Sequence, residues 1–205
     1  VLGVPITRFR LRTSEADTNL VANPTGGSRT LHGLGSAVLL AAREIVQNGL
    51  DLAAEELEAA KTDLEFRDGE YGIKGTDRRI AISALAQKHP GRLDLDFKER
   101  PKVPSTYPNG CHIAEVEIEP ETGEVEIVSY LACDDAGNLI NEQIVHGQMH
   151  GGITQGAGHI FHEQAVYDSG GQLLTGSFMD YAMPRAGLVG GLRLSEHPVP
   201  TATNP

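Results

Sequence analysis

Residues 25–30, Thr-Gly-Gly-Ser-Arg-Thr, have the composition of an anion-binding loop. Successive glycines free backbone N–H groups, and the N-terminus of a following helix adds positive potential. The hydroxyls and the arginine add further donors, so the segment suits a phosphate or a similar anion. Because the lysine of a Walker loop is missing, glycines in a turn before a serine or threonine helix cap remain the alternative interpretation.

A second stretch, residues 141–163, reads as one long helix with more glycine than a helix normally carries. The glycines are Gly147, Gly151, Gly152, Gly156 and Gly158. Each costs roughly 1 kcal/mol relative to alanine inside a helix, so another interaction must compensate. A missing side chain lets a neighbouring backbone or a bound ligand approach, and the apolar residues between the glycines predict that this helix is internal.

The same helix offers imidazoles in pairs. His146 and His150 are spaced i, i+4, and His159 and His162 are spaced i, i+3. Such pairs could bind zinc or nickel, although the sequence fixes no third ligand beside them. A polar face or an interface is the simpler interpretation, and metal analysis distinguishes the two.

Alternating carboxylates mark the segment before this helix. Residues 111–119 and 124–133 alternate apolar and polar positions around a Pro-Glu-Thr-Gly turn, which predicts an antiparallel hairpin. Its expected apolar set is Ala114, Val116, Ile118, Val125 and Ile127. The glutamates between them could do acid–base work or hold a cation, but the solvated face of a sheet describes them more simply.

The first half of the chain supplies the elements that must position residues 25–30. Alternation predicts a strand over residues 6–12, although its phase slips by one residue, so a bulge or a strand that starts at Arg8 fits equally well. An apolar stripe predicts a helix over residues 31–48 with Gly49 as its C-terminal cap. A second helix is expected from Asp51 to about Lys61.

A hairpin and a short helix are predicted next. The segments DLEFR and EYGIK flank Asp68-Gly69, a pair that favours a tight hairpin turn. Residues 82–89 follow with a short helical pattern.

These elements predict an α+β fold in which antiparallel strand pairs pack against long helices in two lobes. Residues 1–90 are expected to form the first lobe, residues 91–110 a connecting loop rich in charge and proline, and residues 111–205 the second lobe.

Composition limits the class of partner. The net charge of −11 disfavours a nucleic-acid backbone or an anionic membrane as the main partner, because both require a basic surface. No apolar run reaches the roughly 18 residues of a membrane span, and a cytoplasmic location is expected. Cys111 and Cys133 could pair, but free thiols are the expectation in such a chain. The start on valine and the proline-rich finish suggest a piece of something longer.

The ordered motifs of this chain resemble the molybdenum-binding large subunit of the xanthine dehydrogenase family, with aerobic carbon monoxide dehydrogenase as the nearest branch. The similarity covers nearly the whole chain and is that of the C-terminal molybdopterin-binding region of a much longer subunit. The segments that carry it are TGGSRT, LEFRDGEYGIKGTDR, CHIAEVEIEPETGEVEIVSY, DDAGNLIN, GQMHGGITQGAGHIFHE, LLTGSFMDYAMPRA and HPVPTATNP.

The resemblance implies part of a molybdenum hydroxylase with molybdopterin cytosine dinucleotide as cofactor. In such enzymes water supplies the oxygen atom, and iron–sulfur and FAD partner subunits carry the electrons away. Carbon monoxide, purines, aldehydes and N-heterocycles are all substrates within the family. The expected cofactor contacts are Gly27, Ser28, Arg29, Thr30, Asp135, Gly137, Asn141, Gln155 and Gly156.

The resemblance also places the family's catalytic residue outside the segments matched here. The family's catalytic glutamate is expected just after a segment like HPVPTATNP, so no residue present is assigned as catalytic. Ala136 and Glu142 stand where the family often has cysteine and proline. The alternatives are a non-catalytic structural or interaction subunit and a His-based metal-binding protein.

Overall fold

The computed structural model describes residues 1–12, 25–95, 97 and 104–202, and the chain forms two compact units, residues 1–104 and residues 105–202. The first unit combines several helices with a three-stranded sheet and the second combines one long helix with another, which confirms the α+β class. The finer division into residues 1–90, 91–110 and 111–205 stays a prediction.

The first unit packs a long helix against a small antiparallel sheet of order β1-β2-β3. A π-helical turn, Leu31–Gly35, leads directly into the long helix. The elements are α1 (Ser36–Leu57), β1 (Leu64–Arg67), β2 (Glu70–Ile73), β3 (Arg79–Ala81) and α2 (Ile82–Lys88). The buried residues between them are Val46, Leu52, Ala53, Leu57, Leu64, Tyr71 and Leu85.

The predicted hairpin between β1 and β2 is confirmed. Asp68 and Gly69 both have positive φ, 51° and 84°. Positive φ at both residues is typical of the two-residue hairpin turn whose twist matches that of the flanking strands. The turn sets the register that places Phe66 opposite Tyr71, and the two rings pack with centroids 4.7 Å apart. The predicted short helix is α2.

The predicted break at Gly49 is wrong, because α1 continues through it to Leu57 in place of two helices. A Cβ at Gly49 would lie 1.9 Å from the hydroxyl oxygen of Tyr71. That hydroxyl donates a hydrogen bond of 3.0 Å to the carbonyl of Val46. Gly49 therefore lets the Tyr71 side chain contact the helix backbone. The helix ends instead at Leu57, and its C-terminal cap is Glu58, which is left-handed with φ 49°.

The predicted strand over residues 6–12 is also wrong. Ile6–Arg8 forms a single turn of 3₁₀ helix, in which the N–H of Arg8 donates to the carbonyl of Pro5. Pro5 has φ −56°, which suits the entry to a helical turn. The described sheet of the first unit contains only β1, β2 and β3, so no strand of it pairs with this alternating segment.

The second unit contains a βαβ arrangement that the sequence did not predict. Its elements are β4 (Asn109–Ile118), β5 (Val125–Asp135), α3 (Glu142–Phe161) and β6 (Leu192–Glu196). The β4–β5 hairpin is antiparallel as predicted, with a bulge between Glu115 and Val116. Strand β6 then pairs in parallel with β5, so α3 lies on the crossover between two parallel strands.

The burial predicted for this unit is mostly wrong. Of the expected apolar set on the hairpin, Ile127 is buried, whereas Val116 and Ile118 are about half exposed. Helix α3 forms as predicted, but its buried residues are only Ala157 and Gly158. Much apolar surface of the second unit is therefore uncovered within the described part of the chain.

Candidate functional site

Residues 25–30 form an exposed entry to the first helix. Gly27 and Ser28 are both left-handed, with φ 62° and 52°, so consecutive residues turn the chain sharply before Thr30. A Cβ added at Gly26 or Gly27 would meet nothing within 4 Å. Nothing within the described part of the first unit therefore fills the space beside these glycines.

Thr30 does not cap the helix through its side chain, and a cap by Ser28 stays the alternative interpretation. Thr30 occupies the N-cap position, but its side chain accepts no hydrogen bond from the helix backbone. Its hydroxyl instead donates to the hydroxyl of Thr25 at 3.3 Å. Backbone amides beside the open glycines, together with the exposed Arg29, are donors of the kind that an anionic group needs.

The turn before α3 holds three of the predicted contact residues. Asp135 Oδ1 accepts hydrogen bonds of 2.9 Å from the backbone N–H groups of Val199 and Gly137, and these bonds lower the pKa of the Asp135 carboxyl. Gly137 is left-handed with φ 68°. Asn141 caps α3, since its Oδ1 accepts from the N–H of Ile144 at 3.0 Å. These side chains shape the turn, and their contact with a cofactor stays a prediction.

A groove runs between α3 and the β4–β5 sheet, with a cavity of about 380 Å³. It is mostly apolar, but its floor includes polar groups from both strands. The residues that line it are His112, Tyr130, Gln148, Met149, Gly152, Ile153, Gly156, Ala157 and Ile160. Gly156, one of the predicted contacts, therefore lies in the groove, whereas its neighbour Gln155 does not line it.

Gly152 and Gly156 leave the helix side of the groove open. A Cβ at either position would meet nothing within 4 Å, and the same is true of Gly147 and Gly151. Gly158 differs, because its Cβ would lie 2.8 Å from both Pro184 and Glu163. Packing among the described residues thus accounts for one of the five glycines in α3 and leaves the other four without a contact.

The strand side of the groove carries a hydrogen-bonded cluster that the sequence did not reveal. His112 Nδ1 lies 3.0 Å from the hydroxyl of Tyr130, and His112 Nε2 lies 3.0 Å from Asp134 Oδ1. His112 faces Ala132 in the ladder, so Tyr130 and Asp134 are its two diagonal neighbours on the same face. The sequence alone does not indicate this cluster, because the three residues belong to two strands and meet only in the observed β4–β5 register.

Three of the four histidines in the predicted pairs contact groups other than a second imidazole. His150 Nδ1 lies 2.8 Å from the carbonyl oxygen of His146 in its own helix, while the His146 side chain faces Glu196 of β6. His159 Nε2 lies 3.8 Å from the carboxylate of Glu163. Metal binding by either pair stays a prediction.

Among the described residues, no helix combines the length and the apolar character needed to cross a lipid bilayer.

Comparison with known proteins identifies the family. The model of the molybdopterin cofactor-binding domain matches residues 1–189 of this chain. The chain belongs to this family. Among similar proteins are the carbon monoxide dehydrogenase large chain of Hydrogenophaga pseudoflava and the nicotine 6-hydroxylase large subunit of Paenarthrobacter nicotinovorans, each 33% identical over 90% of this chain.

Solved structures agree with this assignment. The crystal structure of a Cu,Mo-CO dehydrogenase in its carbon monoxide reduced state matches 88% of the chain with a TM-score of 0.76 and 29% identity. Quinoline 2-oxidoreductase from Pseudomonas putida 86 matches with a TM-score of 0.71 and 28% identity, over 88% of this chain and 24% of its own. The chain spans about a quarter of the length of these relatives, 24% for both curated proteins and for the CO dehydrogenase structure.

The geometry fits a molybdopterin cofactor-binding domain. An extended, flat cofactor needs backbone that it can approach closely, and Gly152 and Gly156 present such backbone in the groove with no side chain of the described residues against it. Its anionic groups need N–H donors, and the open glycines before α1 lie beside such donors. The two regions belong to different units of the domain.

Proposed function

We propose that this chain is part of the molybdenum-cofactor-binding subunit of a xanthine dehydrogenase-family oxidoreductase. The observation that carries the proposal is the open glycine face of α3 beside His112 and Tyr130, in a chain whose family binds molybdopterin. A cofactor in the groove would cover apolar surface and would account for Gly152 and Gly156, which no contact among the described residues explains.

Two groups of residues would hold the cofactor, which we propose is the cytosine dinucleotide form. Arg29 and the backbone of Gly27, Ser28 and Thr30 would donate to its anionic groups. In the second unit, Gly156 gives close approach along α3. The remaining predicted contacts in that unit are Asp135, Gly137, Asn141 and Gln155.

The bound molybdenum centre would supply two-electron oxidation of a small-molecule substrate, with water as the source of oxygen. This chain would bind and orient the cofactor and exclude water from it. We assign no catalytic residue here, so the general base would come from another part of the large subunit. Iron–sulfur and FAD subunits are the proposed partners for electron transfer, and the cytoplasm is the proposed location.

Native mass spectrometry of the protein purified from its own source tests this proposal, with molybdenum and released cytidine nucleotide quantified on the same sample. A larger assembly that contains both is the expected result. An isolated chain with neither would contradict the proposal.

Substitution of Arg29 sharpens the test. Arg29→Ala should lower the molybdenum content of the assembly, because a donor to the anionic cofactor is lost. Arg43→Ala is the matched control, since Arg43 is another exposed arginine in the helix that follows. Equal molybdenum content in both variants would remove Arg29 from the site.

A purely structural role is the second candidate, and it is favoured by the exposed apolar side chains of the second unit. Phe178 and Met179 are 87% and 93% exposed, and Ile160 is 77% exposed. Surfaces of this kind mark association with other protein. Assembly without molybdenum or nucleotide would support this role over cofactor binding.

A further inference from the structure

Two cysteines lie directly opposite each other in the β4–β5 hairpin. Cys111 of β4 pairs with Cys133 of β5, and both are free and exposed. The bulge of the hairpin lies beyond them, between Glu115 and Val116, so the antiparallel pairing around the cysteines is regular. Directly opposed residues project their side chains to the same face of a sheet, so the two thiols are neighbours.

The neighbouring hydrogen bonds show which type of antiparallel pair the cysteines form. The carbonyl of Asp134 accepts from the N–H of His197, which lies on the β6 side of β5. Because carbonyls alternate along a strand, that of Cys133 points toward β4, and a Cβ at Gly110 would lie 2.6 Å from its oxygen. Cys111 and Cys133 therefore form a hydrogen-bonded pair, whose Cα atoms are about 5.5 Å apart. Disulfides join Cα atoms about 4.4–6.8 Å apart, so the backbone is already within range.

The surroundings leave room for a bond between the thiols. His112 and Asp134 follow the cysteines in their strands and meet on the groove face of the sheet, so the cysteines project from the other face. On the side away from β4, Cys133 pairs with Ser195 of β6, which is a small residue. A disulfide at this position would therefore form outside the groove.

We propose that Cys111 and Cys133 are a redox modification site, at which a reversible disulfide ties β4 to β5. The oxidant is a low-molecular-weight disulfide such as oxidised glutathione. The thiolate of one cysteine attacks a glutathione sulfur, which forms a mixed disulfide and releases one glutathione thiolate. The thiolate of the other cysteine then attacks the protein sulfur of that mixed disulfide and releases the second. Two cysteine thiols are thus oxidised, one glutathione disulfide is reduced, and the two protons pass to the two glutathione thiols.

The register also explains why the bond is reversible. Opposed Cβ atoms in a hydrogen-bonded pair lie near the upper end of the range of about 4.5–5.5 Å, whereas a disulfide draws them to about 3.5–4.5 Å. The two strands resist this approach, and exposed disulfides under strain are the readily reduced ones. Because the cysteines adjoin His112 and Asp134, oxidation fixes the register that brings these two groove residues together.

Equilibration with glutathione tests the site in the 205-residue chain. The protein is held without oxygen in buffers of decreasing reduced-to-oxidised glutathione ratio, quenched in acid and alkylated, and its intact mass is measured. The expected product lacks the hydrogen atoms of both thiols and carries neither an alkyl group nor glutathione. Peptide mapping should then join Cys111 to Cys133, and excess reduced glutathione should restore both thiols.

A register variant supplies the matched control. Ser129 lies on the same strand and face as Cys133, but opposite Glu115. Ser129→Cys combined with Cys133→Ser therefore keeps two thiols on that face and moves them four residues out of register. The wild type should form its disulfide at a glutathione ratio at least about tenfold more reducing than this variant requires. Cys111→Ser and Cys133→Ser alone should each accumulate a mixed disulfide with glutathione.

Hydrogen–deuterium exchange measures the consequence for the hairpin. The amides of β4 and β5 should exchange more slowly in the oxidised chain than in the reduced chain, with the first unit as internal control. Circular dichroism verifies that each variant is folded. A wild-type chain that keeps both thiols, carries glutathione on each cysteine or forms cross-linked dimers would overturn the proposal. Oxidation of the wild type and the register variant at the same glutathione ratio would overturn it as well.

Discussion

Glycine has opposite surroundings in the two long helices of this protein. In α1, Gly49 is buried, and its missing side chain makes room for the hydroxyl of Tyr71. In α3, Gly147, Gly151, Gly152 and Gly156 face open space. The same residue type thus serves internal packing in one unit and leaves an exposed backbone surface in the other.

The comparison between α1 and α3 shows that a glycine inside a helix is explained by what contacts it. Each such glycine costs about 1 kcal/mol relative to alanine, so a helix with several of them needs a compensating contact. For Gly49 the contact is within its own unit, in the Tyr71–Val46 hydrogen bond. For the open glycines of α3 the described residues supply none, which is why we propose a cofactor for the two that line the groove.

Gly49→Ala should have the largest effect on stability. The new methyl group would overlap the Tyr71 hydroxyl, and displacement of the ring would break the bond to Val46, so we expect a loss of about 2–3 kcal/mol in the first unit. Hydrogen–deuterium exchange should show faster exchange in α1 and β2, with the second unit as internal control. Unchanged protection would contradict the packing role of Gly49.

Tyr71→Phe should cost less, about 1 kcal/mol, because it removes the hydrogen bond and keeps the ring. Burial raises the pKa of Tyr71 to about 12. Since the unfolded tyrosine ionises near about 10, the stabilising effect is complete below that pH and is lost as the pH rises toward about 12.

Alkaline unfolding measures this linkage. The wild-type protein should lose stability in the first unit between the two pKa values, and the Tyr71→Phe variant should show a flatter dependence on pH. Equal pH dependence in the two proteins would mean that Tyr71 is not the titrating group.

Gly147→Ala should have a smaller effect of the opposite sign. Beyond the neighbouring backbone of α3, no atom of the described residues lies within 4 Å of the added methyl group, so the helix should gain up to about 1 kcal/mol from propensity alone. Thermal melting followed by far-ultraviolet circular dichroism would detect the gain. A clear loss of helix stability would show that a contact of this face has been missed.

The smallest effect is expected from Asp135→Asn at the turn before α3. Hydrogen bonds from the amides of Val199 and Gly137 lower the pKa of Asp135. The contribution of these bonds is therefore present above the unfolded pKa of about 3.9 and is lost as the pH falls through the lower folded value.

Nuclear magnetic resonance follows this titration directly. The amide proton shifts of Val199 and Gly137 should change together as acid is added, and Asp135→Asn should abolish the change. Independent titration of the two amides would contradict a shared bond to Asp135.

Local patterns predicted much of the fold. Alternation and turn residues were enough for both hairpins, since Asp68-Gly69 specifies a tight turn by its backbone preference. The long α3 followed from its periodicity despite the glycines. Gly49 was misassigned because a glycine that caps a helix and a glycine that admits a neighbouring ring look the same in one sequence.

The features that the sequence could not predict depend on pairing between segments that are distant in the chain. Strand β6 has five residues and pairs with β5, which ends more than fifty residues earlier in the chain. No local sequence pattern predicts this parallel pairing. The cluster of His112, Tyr130 and Asp134 depends on the register between two strands. Glu196 lies beside His146 because of that same parallel strand, which the histidine spacing on α3 does not indicate.

A matched pair of substitutions on α3 tests the central claim most directly. Gly156→Val and Gly147→Val place the same side chain on the same helix, but only the first enters the groove. Molybdenum and cytidine nucleotide are then quantified in protein purified from its own source. We predict that Gly156→Val loses both while Gly147→Val retains them; full retention in Gly156→Val would contradict a cofactor on this face of α3.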